Sequence, residues 1–170
     1  MPRRQRSKTH PAASHPRPAR RVYDESPDSF GTPGKPAEPA VCARCGSVLH
    51  AGRWTWNAAP DPAPAAKCPA CLRIEQDQPD GILVIGGPFV ASHRAEILGL
   101  IRHVEENEMQ HHPLARTFGV DDDGDELRVR TTERRLADSL GRALERAYGG
   151  KLERTAGDRS SPLRLRWQRE

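Results

Sequence analysis

The chain has 170 residues, a formal net charge of +4 and an apolar fraction of 35%, enough for one ordinary domain or two small ones. No apolar run approaches the roughly 18 residues of a membrane span and no apolar h-region follows the N-terminus, which excludes membrane and Sec-secreted classes. The first 40 residues hold eight of the 16 prolines and eight Lys/Arg against four Asp/Glu, so the excess positive charge belongs to them and residues 41–170 are formally neutral.

Residues 1–40 read as a disordered, Pro- and Arg-rich tail. They form either a solubilising leader or a basic arm that condenses onto nucleic-acid phosphates. Pro2, Pro11, Pro16 and Pro18 would break the amphipathic helix of a mitochondrial presequence. Residues 41–75 form a second unit, with paired cysteines at each end, a short strand signal at Arg53–Asn57 and a Pro/Ala loop over Ala58–Ala66. Residues 76–80 are a polar linker.

The third unit spans 81–168. Ile82–Ile85 is a continuous apolar run closed by Gly86–Gly87–Pro88, as in a buried central strand. Ser92 is placed to N-cap a helix from about His93 to Met109, with Ile97, Leu100, Ile101 and Val104 on one face. Asp121–Asp125 reads as a turn, and Glu126–Thr132 alternates as a strand. Glu133–Tyr148 carries a helical stripe of Leu136, Leu140, Leu144 and Ala147, stopped by Gly149–Gly150. Lys151–Thr155 and Leu163–Trp167 are two further strands. The expected fold is α+β: a four-cysteine zinc ribbon, then a small β-α-β-α-β-β domain, behind a disordered N-terminal tail.

Cys42, Cys45, Cys68 and Cys71 follow the pattern C-x2-C-x22-C-x2-C. Two-residue spacing lets a tight turn aim both sulfurs at one ion, and four thiolates complete the tetrahedron of a structural Zn²⁺ site. Gly46 suits a turn needing positive φ. Arg44, Lys67 and Arg73 stand beside the ligands in sequence and can offset the −2 charge of a zinc tetrathiolate, while His50 is surplus to the ligand set. Four cysteines without a signal peptide point to a reducing, cytoplasmic compartment. A redox switch that releases zinc on oxidation would use the same residues.

Trp54 and Trp56, two residues apart, make either the ribbon's small core or an exposed platform for stacking bases. Arg128 and Arg130 share one face of their strand, as Arg164 and Arg166 do of theirs. With both strands in one sheet, the four form an arginine patch, either an ordinary solvated face or a set of phosphate contacts. Gly86–Gly87–Pro88 matches no phosphate-loop pattern, and Asp121–Glu126 lacks the ligand spacing of an EF-hand. The His and Glu residues of the 93–112 helix match neither HExxH nor a catalytic triad, and read as a solvated face.

The paired CxxC motifs, the segment TTERRLADSLGRALERAYGGKLE and the closing LRLRW together resemble the N-terminal part of the archaeal and eukaryotic large-subunit export adaptors. Those are zinc-ribbon proteins that bind the large ribosomal subunit. A short bacterial family of similar layout is closer in length. The likeness covers roughly residues 41–168 and implies that Cys42, Cys45, Cys68 and Cys71 are zinc ligands. The adaptors' second set of zinc cysteines and further β domains have no counterpart here. The expected function is that of a non-enzymatic zinc protein binding structured RNA, on the ribosome or its large subunit, with Arg128, Arg130, Arg164, Arg166, Trp54 and Trp56 as the RNA-facing set. Against it stand a protein–protein adaptor with a purely structural zinc and, third, a redox-sensing zinc protein or an enzyme.

Overall fold

The computed structural model of the protein describes residues 36–155 and 160–170. The expected disordered tail lies outside the described residues as far as residue 35. Two sheets and three helices follow, a mixed α and β architecture. The first sheet contains β1 (Ala40–Cys42), β2 (Val48–His50), β3 (Arg53–Thr55) and β4 (Ala65–Ala66), in the order β3-β2-β1-β4. The seven-residue helix α1 (Pro69–Glu75) closes this unit. Ahead of β1, the Glu38 carboxylate accepts the Gly52 N–H at 2.8 Å.

The second sheet is built from β5 (Gly81–Gly86), β6 (Thr117–Asp122), β7 (Glu126–Thr131), β8 (Lys151–Thr155) and β9 (Leu163–Gln168), in the order β6-β7-β5-β9-β8. Helix α2 (Pro88–His111) links β5 to β6, and α3 (Arg134–Tyr148) links β7 to β8. The domain therefore runs β-α-β-β-α-β-β, one strand more than expected. The extra strand is β6. Its Gly119, Asp121 and Asp122 are poor strand formers, and Asp121 and Asp122 read as part of the expected turn, but they lie in an edge strand beside β7, where charge suits an outermost position. Its register slips between Thr117 and Gly119, a bulge-like irregularity.

Alternation along the strands decides which face is buried. Leu83 and Ile85 of β5, Leu127 and Val129 of β7, and Leu165 and Trp167 of β9 point one way and are at most 2% exposed. Leu136, Leu140 and Leu144 of α3 and Val90, Ile97 and Ile101 of α2 cover them. Ala147, expected in the α3 stripe, is exposed, and Tyr148 packs on the core instead. Tyr148, Phe89 and Trp167 meet edge to edge or tilted, and the Trp167 indole N–H donates to the Gly149 carbonyl at 2.9 Å. Gly149 and Gly150, both at positive φ, end α3 as expected.

Helix α2 starts earlier than expected. Pro88 occupies its first turn, where a missing N–H costs nothing, and the helical geometry is interrupted at His93 (φ −119°, ψ 16°). Ser92 is thus not a cap: its hydroxyl lies 3.3 Å from the Phe89 carbonyl, just ahead of that interruption.

Helix α3 reaches the sheet closely because β5 begins with Gly81. A Cβ there would stand 2.5 Å from Thr131 Oγ1 and 2.6 Å from Ala137 Cβ. Gly81→Ala should therefore lower stability by about 1–3 kcal/mol through overpacking, measured by urea unfolding with an unchanged slope. A variant as stable as the parent would show that α3 can shift to make room.

Candidate metal centre and arginine face

The four cysteines come from three local structures. Cys42 ends β1, and the chain turns through Cys45 and Gly46 into β2. Gly46 sits at φ 78°, as expected, and its N–H donates to the Cys42 carbonyl at 2.8 Å. The second pair is not a second turn of the same kind. Cys68 is the N-cap of α1, its sulfur accepting the Cys71 N–H at 3.4 Å, so this pair lies at a strand-to-helix junction that the prolines disguise.

All four Sγ atoms lie within 4.8 Å of one another, the one such group of potential metal ligands among the described residues. Cys42 and Cys71 are 3.8 Å apart, and Cys45 and Cys68 3.7 Å, with no disulfide between any pair. A tetrahedral ion bound through metal–sulfur bonds of about 2.3 Å requires sulfurs about 3.8 Å apart. The site can hold a metal ion, and the tetrahedral four-sulfur donor set suits zinc or iron.

Burial pushes the Cys68 and Cys71 thiols up from their ordinary range. At Cys45 burial also pushes upward but is outweighed by hydrogen bonds from the Ser47 hydroxyl and N–H, from Arg116 and from Cys42, and the thiol is lowered to about 6. The Cys68 N–H donates to Cys42 Sγ at 3.3 Å.

One cationic neighbour of the sulfurs is not among those expected. Arg44 is exposed, Lys67 is engaged with Glu75 at 2.5 Å, and Arg73 is buried on α1. The Arg116 guanidinium reaches the cluster, 3.7 Å from Cys71 Sγ. Burial works against its charge, but the hydrogen bond to Cys45 and the charge interactions with Cys45, Cys68 and Cys71 raise its pKa. Arg116 follows Leu114, which packs on the cysteine cluster. Its backbone is tied to Thr132, whose N–H donates to the Arg116 carbonyl at 2.9 Å and whose hydroxyl accepts the Arg116 N–H at 2.9 Å. No spacing rule links residue 116 to a cysteine 45 positions earlier. Only the fold brings them together.

Trp54 packs against the cysteine cluster. Trp56 lies past the end of β3 rather than beside Trp54 on the strand, and is 43% exposed. Its indole N–H donates to the Met109 carbonyl at 2.6 Å, and the Arg116 guanidinium lies 5.7 Å from its ring centroid. One tryptophan thus supports the cysteines, and the other ties the first sheet to the end of α2.

The four strand arginines do come together. Arg128 and Arg166 flank Val84, and Arg130 and Arg164 flank Ile82, in one register across β7, β5 and β9. Directly paired residues share a face, so all four lie on the side opposite the helices. With strands about 4.8 Å apart, the backbones of β7 and β9 are separated by about 9.6 Å. Arg130 is ion-paired with Asp77 and lies 3.5 Å from Asp121, and Arg166 is ion-paired with Glu126. Among the described residues, no carboxylate pairs with Arg128 or Arg164. These two sit diagonally across β5.

Glu96, His103, Glu106 and His111 of α2 are exposed, as expected of a solvated face, whereas two of its glutamates bond to neighbouring elements. Glu105 accepts the Thr117 N–H at 2.8 Å, Glu108 accepts the Ser139 hydroxyl at 2.8 Å, and His103 pairs with Asn107 at 3.0 Å.

Two outcomes follow for the cysteine cluster. Cys68→Ser should abolish stoichiometric metal binding and unfold the first sheet while the second survives, seen as loss of dispersed amide signals for residues 40–75 only. Arg116→Met should lower metal affinity about tenfold or more, as loss of a group supporting the ligands does, measured by chelator competition. An unchanged affinity would reduce Arg116 to a packing residue. No family model, no curated protein and no solved structure matches this chain.

Proposed function

We propose that this is a non-enzymatic zinc protein of the cytoplasm that binds structured RNA through the open face of its five-stranded sheet, on the ribosome. The observation that carries the reading is the register that surrounds Ile82 and Val84 with Arg128, Arg130, Arg164 and Arg166. Arginine presents a planar fork of donors that matches phosphate oxygens. The Phe118 ring of β6 is already engaged by the Arg130 guanidinium, 5.4 Å from its centroid. The face therefore suits backbone contact with folded RNA better than stacking of unpaired bases. The ribosome enters through the resemblance to the export adaptors, and zinc through the tetrahedral donor set. Among the described residues, no helix is long and apolar enough to cross a membrane.

A second reading, a protein–protein adaptor, is favoured by one observation. Arg130 and Arg166 already have acidic partners, as solvated surface arginines commonly do, and the aliphatic pair Ile82 and Val84 between them is half-buried.

Elemental analysis of reduced protein should return one zinc per chain, and iron or no metal would overturn that assignment. In RNA binding, Arg128→Ala with Arg164→Ala should weaken affinity and flatten the slope of log K against log[salt] by roughly 1.5, since each lost phosphate contact removes about 0.7–0.9. Arg130→Ala with Arg166→Ala should change the slope less, because those charges are compensated. An unchanged slope in the first double variant, with binding abolished by deletion of residues 1–21, would move the RNA site to the N-terminal segment and leave the sheet to a protein partner.

A further inference from the structure

On the other side of the sheet, a groove of about 420 Å³ runs between α3 and the edge strand β8, lined by Arg142, Glu145, Arg146, Leu152 and Arg154. Leu152 and Arg154 pair with Trp167 and Leu165, which face the helices, so both point into the space under α3. Leu152 forms the apolar floor. It fits there because α3 carries Gly141 above it, where a Cβ would stand 2.9 Å from a Leu152 methyl.

The charges are arranged around one shared acid. Asp138, one turn before Arg142, accepts from Arg142 Nε at 3.0 Å and is also ion-paired with Arg154. A single carboxylate thus orients two guanidinium groups and neutralises one charge. Arg146, one further turn along, is exposed and has no carboxylate partner among the described residues. Like charges four residues apart on a helix repel, and Arg142 and Arg146 are so spaced beside Arg154. An anion in the groove would relieve that repulsion.

We propose that this groove is a binding site for a phosphate group, with Arg146 as its uncompensated cation, Arg142 and Arg154 as forks held in place by Asp138, and Leu152 as the floor. Glu145 is the one acid on the rim and opposes binding. The site is independent of the arginines on the open face. The phosphate can come from an RNA backbone or from a small phosphorylated molecule, for which a groove of this size is ample.

The test is a titration of full-length, metal-loaded protein with inorganic phosphate at constant ionic strength, followed by NMR of arginine Nε–H and leucine methyl groups. Saturating shifts are expected at Arg146 and Leu152, with a dissociation constant on the order of millimolar. Arg146→Ala should weaken this binding about fivefold, and Glu145→Gln should tighten it about twofold, as changes at exposed charge contacts do. Arg128→Ala with Arg164→Ala should leave it unchanged. Shifts that never saturate, or that survive Arg146→Ala, overturn the proposal. Displacement of phosphate by an RNA duplex would identify a backbone phosphate as the ligand, and phosphate shifts that persist alongside bound RNA would identify a small phosphorylated molecule. Because the phosphate titration needs no RNA, failure of the open-face reading and failure of this site are separately visible.

Discussion

Four thiols gathered within 4.8 Å of one another cannot all ionise unless a cation shares the space, and the N-terminal sheet is organised around that constraint. Its strands are two or three residues long and too small to bury a sizeable core of their own. Its buried apolar side chains besides the cysteines are few and small, chiefly Ala40, Val48, Leu49 and Ala70, with Trp54 and Leu114 packed against the cysteine cluster. A structural metal supplies on the order of 10–16 kcal/mol to such a fold, far more than two- and three-residue strands can contribute through ladder hydrogen bonds. Arg116 extends the same electrostatics into the second sheet. Its guanidinium faces a sulfur while its backbone is clamped to Thr132 at the end of β7. The charge state of the cluster is thus felt by a residue that belongs structurally to the other half of the molecule.

The five-stranded sheet resolves a different problem. Both helices cover one face, leaving the other open, and the central strand β5 is aliphatic on both. The flanking strands fill the open face with arginine and glutamate at alternate positions. This keeps Ile82 and Val84 half-covered by long side-chain stems rather than bare. The same residues that make the surface soluble make it cationic on a diagonal, because the acids of β6, the linker and β7 neutralise Arg130 and Arg166 and leave Arg128 and Arg164.

Much of this is legible in the sequence alone. The cysteine spacing states its chemistry outright, and the alternation in LRVRT and LRLRW fixes both the buried and the open face. The leucine stripe of α3 needs no tertiary context either. What stays hidden does so for physical reasons. Strand β6 is an edge whose acids answer to Arg94 and Arg130 across space, and taken alone its DDD run reads as a turn. Helix α1 begins at Pro69 immediately after Cys68, so a helix N-terminus resembles a knuckle. The start of α2 is obscured because proline breaks helices in their interiors but suits their first turn. Arg116 has no local signature at all, since its role exists only where two sheets meet.

The position of β9 has a consequence for how the molecule is made. It lies beside β5 in parallel, Gly81 against Leu163, and so occupies an inner place in the sheet although it is the last strand in the chain. During vectorial synthesis, β5, β7 and both helices emerge with one side of the central strand unpaired until residues 163–168 clear the exit tunnel. Late closure of so non-local a contact is intrinsically slow. All four cysteines have emerged by residue 71, but Leu114 and Arg116, which meet their cluster, follow only with the second sheet. A nascent chain would thus gather its four cysteines while the five-stranded sheet still waits for its inner strand.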